Sequence, residues 1–311
     1  MNMFDQTIGV EIEMNNITRR KAAMIASKLF GTNKSADTSS VNGYRAYSAW
    51  DSEGREWKFV YDCSITSIND ECKCELNTPI LTYKDVPVLQ DLIKALRKAG
   101  AKSNSNIGCG VHIHIGAKDH TATSLRNLTN FMASHEDLII KSLGIAESRT
   151  GRWCQKVNSD FLSRINAEKP ATRDEMMTLW YNTHGFYNIK NALKDHYNTS
   201  RYHMLNFHST FTKGTVEFRL FQFNNPDGNR LNGLDANRIK AYIQFCLAIS
   251  HKAKTLKDSR YTVGSVQTEN PKFAMRTWMN YLGMIGDEFS VARDVFTERL
   301  TGNATFRYKV A

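Results

Sequence analysis

The stretch "IGVEIEMN" (residues 8–15) places two glutamates two positions apart in an otherwise apolar run. Side chains two apart in a β-strand point to the same face. Ile8, Val10, Ile12 and Met14 therefore form one apolar face, and Gly9, Glu11, Glu13 and Asn15 share the other. Taken alone, such a pair reads as the solvated side of a sheet. The same design recurs twice. In "GVHIHIG" (110–116) His112 and His114 alternate with Val111, Ile113 and Ile115, and in "TVEFRLF" (215–221) Glu217 and Arg219 alternate with Val216, Phe218 and Leu220. A solvated face usually mixes Lys, Thr, Ser and Gln. These three strands instead present three carboxylates and two imidazoles, all metal-ligand types, and an arginine fork suited to an oxyanion. Carboxylates with one or two imidazoles suit Mg²⁺ or Mn²⁺ better than a structural zinc site.

Working outward, the remaining segments predict an α+β domain. Caps and periodicity predict helices over 19–30, 86–99, 124–143, 234–257 and 270–285, and Thr172 with Glu175 makes a capping box before 176–181. Period-two stretches predict strands over 7–15, 43–50, 55–62, 72–77, 110–115, 202–211 and 215–223. "AWDSEGREW" around Gly54 and "FTKGTVEF" around Gly214 read as hairpins, so the sheet is expected to be largely antiparallel with helices packed on one face. Segment 144–200, rich in arginine and aromatics, reads as an insertion or lid, and 224–311 as mainly helical packing within a single domain, 1–311.

Composition narrows the partners. The 311 residues are 41% hydrophobic and carry a formal net charge of +10. No apolar run approaches the roughly 18 residues of a membrane span, and no signal-like start is present, so a cytoplasmic protein is expected. The six cysteines, at irregular spacing, read as reduced thiols. Cys63, Cys72 and Cys74 offer only a weak spacing for zinc. Basic clusters at Arg19, Arg20 and Lys21 and at Lys94, Arg97, Lys98 and Lys102 lie on helices with apolar stripes. They read as solvated faces before they read as a nucleic-acid surface, although a polyanionic small ligand such as a nucleoside triphosphate also suits a basic chain.

Six motifs, "GVEIE", "DCSI", "ELNTP", "CGVHIHIG", "RYHMLN" and "TVEFR", stand in the order they take in the putative amidoligase family, which is related to glutamine synthetase and glutamate-cysteine ligase. The resemblance spans about residues 8–223. It implies a glutamine-synthetase-like catalytic antiparallel sheet, with helices on one face and the active site on the other, binding ATP and Mg²⁺ (or Mn²⁺) and joining a carboxylate to an amine through an acyl phosphate. Carried over residue by residue, Glu11, His112 and Glu217 would hold a metal at the ATP phosphates, and Glu13 and Glu75 a second near the acceptor carboxylate. His114 and Arg201 would hold nucleotide phosphates, and Arg219 the transferred phosphoryl group. Arg149 and Arg152 would bind the substrate carboxylate, with Asn206 and the candidate base Asp62 on the substrate side. A further acidic ligand expected of glutamine synthetase has no clear counterpart, leaving Asp62, Glu71 or water to complete that site. The substrates would be amino acids, a peptide or a protein. The alternatives are a metal-dependent hydrolase or phosphotransferase on the same ligands and a non-enzymatic nucleic-acid-binding protein.

Overall fold

The computed structural model describes residues 2–223, 233–259 and 268–305, and the chain folds as α+β. Its contacts divide it into two compact units. The first comprises Phe4–Ile113 and Phe221–Lys240, and the second Met1–Met3, His114–Leu220 and Ala241–Ala311. The predicted C-terminal helical part falls partly on 224–232, 260–267 and 306–311, which lie outside the described residues.

The first unit carries β1 (Ile8–Met14), β2 (Ser35–Asp37), β3 (Tyr47–Trp50), β4 (Glu56–Val60), β5 (Cys74–Asn77) and the beginning of β6 (Val111–Gly116), in the order β2-β3-β4-β5-β1-β6. Pairings β2 with β3, β3 with β4, β4 with β5 and β5 with β1 are antiparallel. The Gly54 hairpin joins β3 to β4 as its sequence predicts, with Gly54 at φ +76°. β2 has no counterpart in the predicted strands, because "SAD" offers no alternation and stays largely exposed. Ile8, Val10, Ile12 and Met14 are buried, as the period of two requires. Helix Arg19–Leu29, capped by the Thr18 side chain, packs on β2, β3 and β4 and against helix Val86–Lys98.

Arg19 departs from its predicted solvated face. It is buried, and its guanidinium donates to the carbonyls of Arg45, Asp70, Glu71 and Lys73 and to the Glu71 carboxylate. The reason is local: three carbonyls of the loop entering β5 and that of Arg45 before β3 need donors, and one planar fork can serve them all. Its neighbour-helix counterpart Arg97 donates to the Leu234 carbonyl, and Lys94 pairs with Asp91.

The second unit holds the end of β6, β7 (Leu205–Asn206) and β8 (Thr215–Phe221, all but its last residue), in the order β6-β8-β7. Here the predicted strand over 202–211 shortens to two residues, and helix His208–Thr212 replaces the tight hairpin before Gly214. The cause lies in the side chains: the Ser209 and Thr210 hydroxyls both donate to the Thr215 carbonyl, closing a compact turn of helix. Helix Ala122–Leu143 packs against Ser159–Glu168 and Ser290–Thr297. Arg173–Thr183 opens with the predicted capping box, Thr172 and Glu175. Phe161, Trp180 and Phe207 form one buried aromatic group in this unit, and Phe245, Trp278 and Phe296 another.

Candidate functional site

In the first unit, strand register brings the acidic residues together. Glu13 of β1 stands directly opposite Glu75 of β5, and Glu11 opposite Asn77. Val60 of β4 pairs with Glu75 from the other side, and Asp62 follows two residues later. The carboxylates of Glu13, Asp62 and Glu75 each offer an oxygen within 4.8 Å of the others. Like charges directly opposite in a sheet are destabilising, so three converging carboxylates need a compensating partner. Burial pushes the Glu75 carboxyl well above its ordinary range, and the charges of Glu11, Glu13 and Asp62 push it further. One oxygen of Glu13 accepts the Gly110 amide at 2.6 Å. Asp62 accepts the Ser64 amide at 2.7 Å, which fixes the turn across the exposed Cys63.

His112, on β6, bridges this group. Its Nδ1 lies 3.0 Å from Glu11 Oε2, and its Nε2 4.0 Å from Glu13 Oε1. The far oxygen of Glu13 thus faces an imidazole while the near one is held by backbone. Glu71, the other sequence candidate for completing the acidic set, points to Arg19 at 3.0 Å and is mostly exposed. Asp62 is therefore the residue that joins Glu13 and Glu75. Hard oxygen donors of this number fit Mg²⁺ or Mn²⁺, with water completing the coordination. Burial pushes the Cys74 thiol up strongly, which disfavours the thiolate that zinc would need there.

The second unit assembles the phosphate-binding types. Glu217 and Arg219, two apart on β8, pair at 2.5 Å through Oε1 and Nη1. Asn206 of β7 stands opposite Glu217 and donates to its other oxygen at 2.6 Å. The same Asn206 accepts the His208 amide at 2.8 Å, so backbone fixes the amide's orientation. His114 Nδ1 lies 2.9 Å from the Thr215 hydroxyl, and its Nε2 is 3.9 Å from Glu217. All four of His114, Asn206, Glu217 and Arg219 are buried, so the polar face predicted from period two is not a solvated one.

Arg201 reaches a cavity of about 210 Å³ that it lines with Asn206, His208, Lys213 and Glu217. Its guanidinium donates to the His196 carbonyl at 2.9 Å. Burial, then the Arg201 charge, hold the His208 imidazole down to about 4, and its Nδ1 pairs with the Tyr181 hydroxyl at 2.7 Å. Arg149 is buried and donates to the backbone carbonyl of Arg219 at 2.9 Å, so it supports the strand beneath Arg219. Arg152 lies over the Trp153 ring at 4.4 Å and lines a different cavity, of about 570 Å³. The expected pair is thereby split: Arg149 braces β8, and Arg152 stands with a separate set of residues.

Three members of this site escaped the sequence. Thr215 carries no charge signal, the Gly110 amide is backbone, and His208 sits in a segment that read as strand.

A family model described as "putative amidoligase enzyme" matches residues 5–250. A search of curated proteins found no match. Among the described residues no helix is long and apolar enough to cross a membrane.

Proposed function

The chain belongs to the amidoligase family, a family of ligase-type enzymes, and from that premise we propose that it is an ATP-dependent carboxylate-amine ligase working through an acyl phosphate with Mg²⁺. The observation that carries the reading is the convergence of Glu13, Asp62 and Glu75 on strands whose register sets like charges face to face. Such an arrangement stabilises a bound cation and little else. Glu13, Asp62 and Glu75 would hold Mg²⁺, with His112 and Glu11 beside them. When bound, the ion supplies charge neutralisation for phosphoryl transfer.

The protein's own residues supply the rest. Arg219, paired with Glu217, would place its guanidinium charge beside a phosphoryl oxygen. Asn206 holds Glu217 in place, and Arg149 holds the Arg219 backbone. Arg201, at the wall of its cavity, provides a cation for an anionic group entering there. His114, tied through Nδ1 to Thr215, keeps a fixed ring direction. The position of Asp62 among the carboxylates favours a ligand role over that of the base expected from sequence. The attacking amine would lose its proton to another group or to solvent.

The acceptor would be a carboxylate on an amino acid, peptide or protein. Incubating the chain with ATP, Mg²⁺ and pooled acceptors, with hydroxylamine present, tests the proposal. Formation of ADP together with a hydroxamate, lost in E75Q and R219A, is expected. ATP hydrolysis that never yields hydroxamate, or phosphate transfer to a hydroxyl, would replace the ligase with a hydrolase or phosphotransferase.

A further inference from the structure

His184 and His203 are absent from every role assigned above. His184 caps the end of helix Arg173–Thr183, and His203 lies just before β7, where it bridges in parallel to Gln155. Both belong to the second unit. Their Nε2 atoms stand 3.1 Å apart.

The protonation states follow from the other nitrogens. His184 Nδ1 lies 2.6 Å from the Trp180 carbonyl, and His203 Nδ1 2.6 Å from the Lys156 carbonyl. A carbonyl oxygen only accepts, so each Nδ1 carries a proton. In a neutral ring each Nε2 then presents a lone pair. Two lone pairs directed at each other at this distance repel unless a positive centre lies between them. A proton is poorly supplied: the pair stands beside the Trp180 ring, and no carboxylate lines its cavity to balance an imidazolium. A metal ion answers the geometry. With Zn–N bonds of about 2.0–2.1 Å, an N···N separation of 3.1 Å corresponds to a bond angle of roughly 100°, close to tetrahedral.

We propose that His184 and His203 are a pair of Nε2 ligands for a borderline transition-metal ion, Zn²⁺ being the one they fit best. The Nδ1–H to carbonyl bonds are the arrangement that orients metal-bound imidazoles and raises their basicity. The rings are also held from the side. Trp180 lies against His184 with centroids 4.2 Å apart, and its own Nε1 donates to Ser200 at 3.1 Å. The pair opens on the cavity of about 570 Å³ that Arg152, Gln155, Asn158 and Tyr202 also line. No carboxylate or thiolate is among its lining residues. The remaining coordination positions thus belong to water or to a ligand entering the cavity, and Arg152 favours an anionic one.

The probe is Co²⁺ added to the full chain in excess Mg²⁺, which occupies carboxylate sites. An intense visible band of a tetrahedral, nitrogen-ligated ion is expected, displaced by one equivalent of Zn²⁺. It should vanish in H184N and in H203N, because asparagine keeps an N–H near the Nδ1 position and lacks Nε2. It should persist in E75Q. Circular dichroism establishes that the variants fold. Should either variant fail to fold, nitrogen NMR of the unaltered chain decides: Zn²⁺ should shift two histidine Nε2 resonances and leave Nδ1 protonated. A band unchanged in both variants would overturn the proposal. So would absence of any such band, or an N–H···N proton shared by the two rings at neutral pH and indifferent to Zn²⁺.

Discussion

At the scale of single residues, the molecule concentrates unfavourable charge where a sheet would ordinarily avoid it. Glu13 faces Glu75 across a strand pair, and Asp62 joins them. Without a cation the arrangement is destabilising, so E75Q should raise the melting temperature in metal-free buffer. In the unaltered chain Mg²⁺ should raise it instead, by about 2.7 kcal/mol of stability at a hundredfold excess over Kd. That gain should be lost in E75Q and kept in E71Q, since the Glu71 carboxylate turns to the buried Arg19; thermal melts with Mg²⁺ and with chelator check both. Arg219 differs in kind. Lysine would keep its charge and lose the fork that both Glu217 and an oxyanion require. R219K should lower kcat on the order of 10²-fold with a smaller change in KM for ATP, measured by steady-state kinetics.

At the scale of elements, the turns decide whether these side chains arrive. Gly108 ends the short turn before β6 with φ +74°, and an added Cβ would sit 2.9 Å from the Ser64 carbonyl oxygen. That carbonyl belongs to the turn carrying Asp62. G108A should therefore cost about 1–3 kcal/mol in denaturant unfolding and also weaken Mg²⁺ binding, because strain at one turn is relieved by moving the other. The capping box at Thr172 behaves more simply: T172A should cost about 1 kcal/mol without altering Mg²⁺ affinity. The long periodic elements were legible in sequence for a plain reason. Hydrophobic alternation in β1, β6 and β8 and caps at Thr18 and Thr172 are local signals. The early end of β7 was not, because hydroxyl-to-carbonyl bonds from Ser209 and Thr210 outcompete the strand pattern around them.

At the scale of the whole molecule, a buried acid couples stability to pH. Glu136, in helix Ala122–Leu143, accepts the Val157 amide at 2.6 Å, and burial pushes its carboxyl up to about 7. An acid whose folded pKa exceeds its unfolded one binds its proton more tightly when folded. Its contribution is complete below the unfolded value of 4.5 and is lost as pH rises to about 7. The unaltered chain should accordingly lose on the order of 3 kcal/mol from this group across that window. E136Q, which keeps the acceptor for Val157, should flatten that slope in denaturant unfolding followed at several pH values. The net charge of +10 adds no such gradient by itself, since lysine and arginine hold their charge throughout the same range.

What the sequence determined by itself was periodicity and chemistry. An alternation of two in three strands fixed which side chains share a face, and the residue types on that face fixed the classes of ligand, because both are properties of a chain read locally. What only the tertiary structure decided was partnership. The choice of Asp62 over Glu71 beside Glu13 and Glu75, the parting of Arg149 from Arg152, the burial of Arg19 and the meeting of His184 with His203 all depend on register and packing. These are set by contacts between residues tens of positions apart, and the spacing of residues along a chain does not encode which distant atoms come within a bond length of each other.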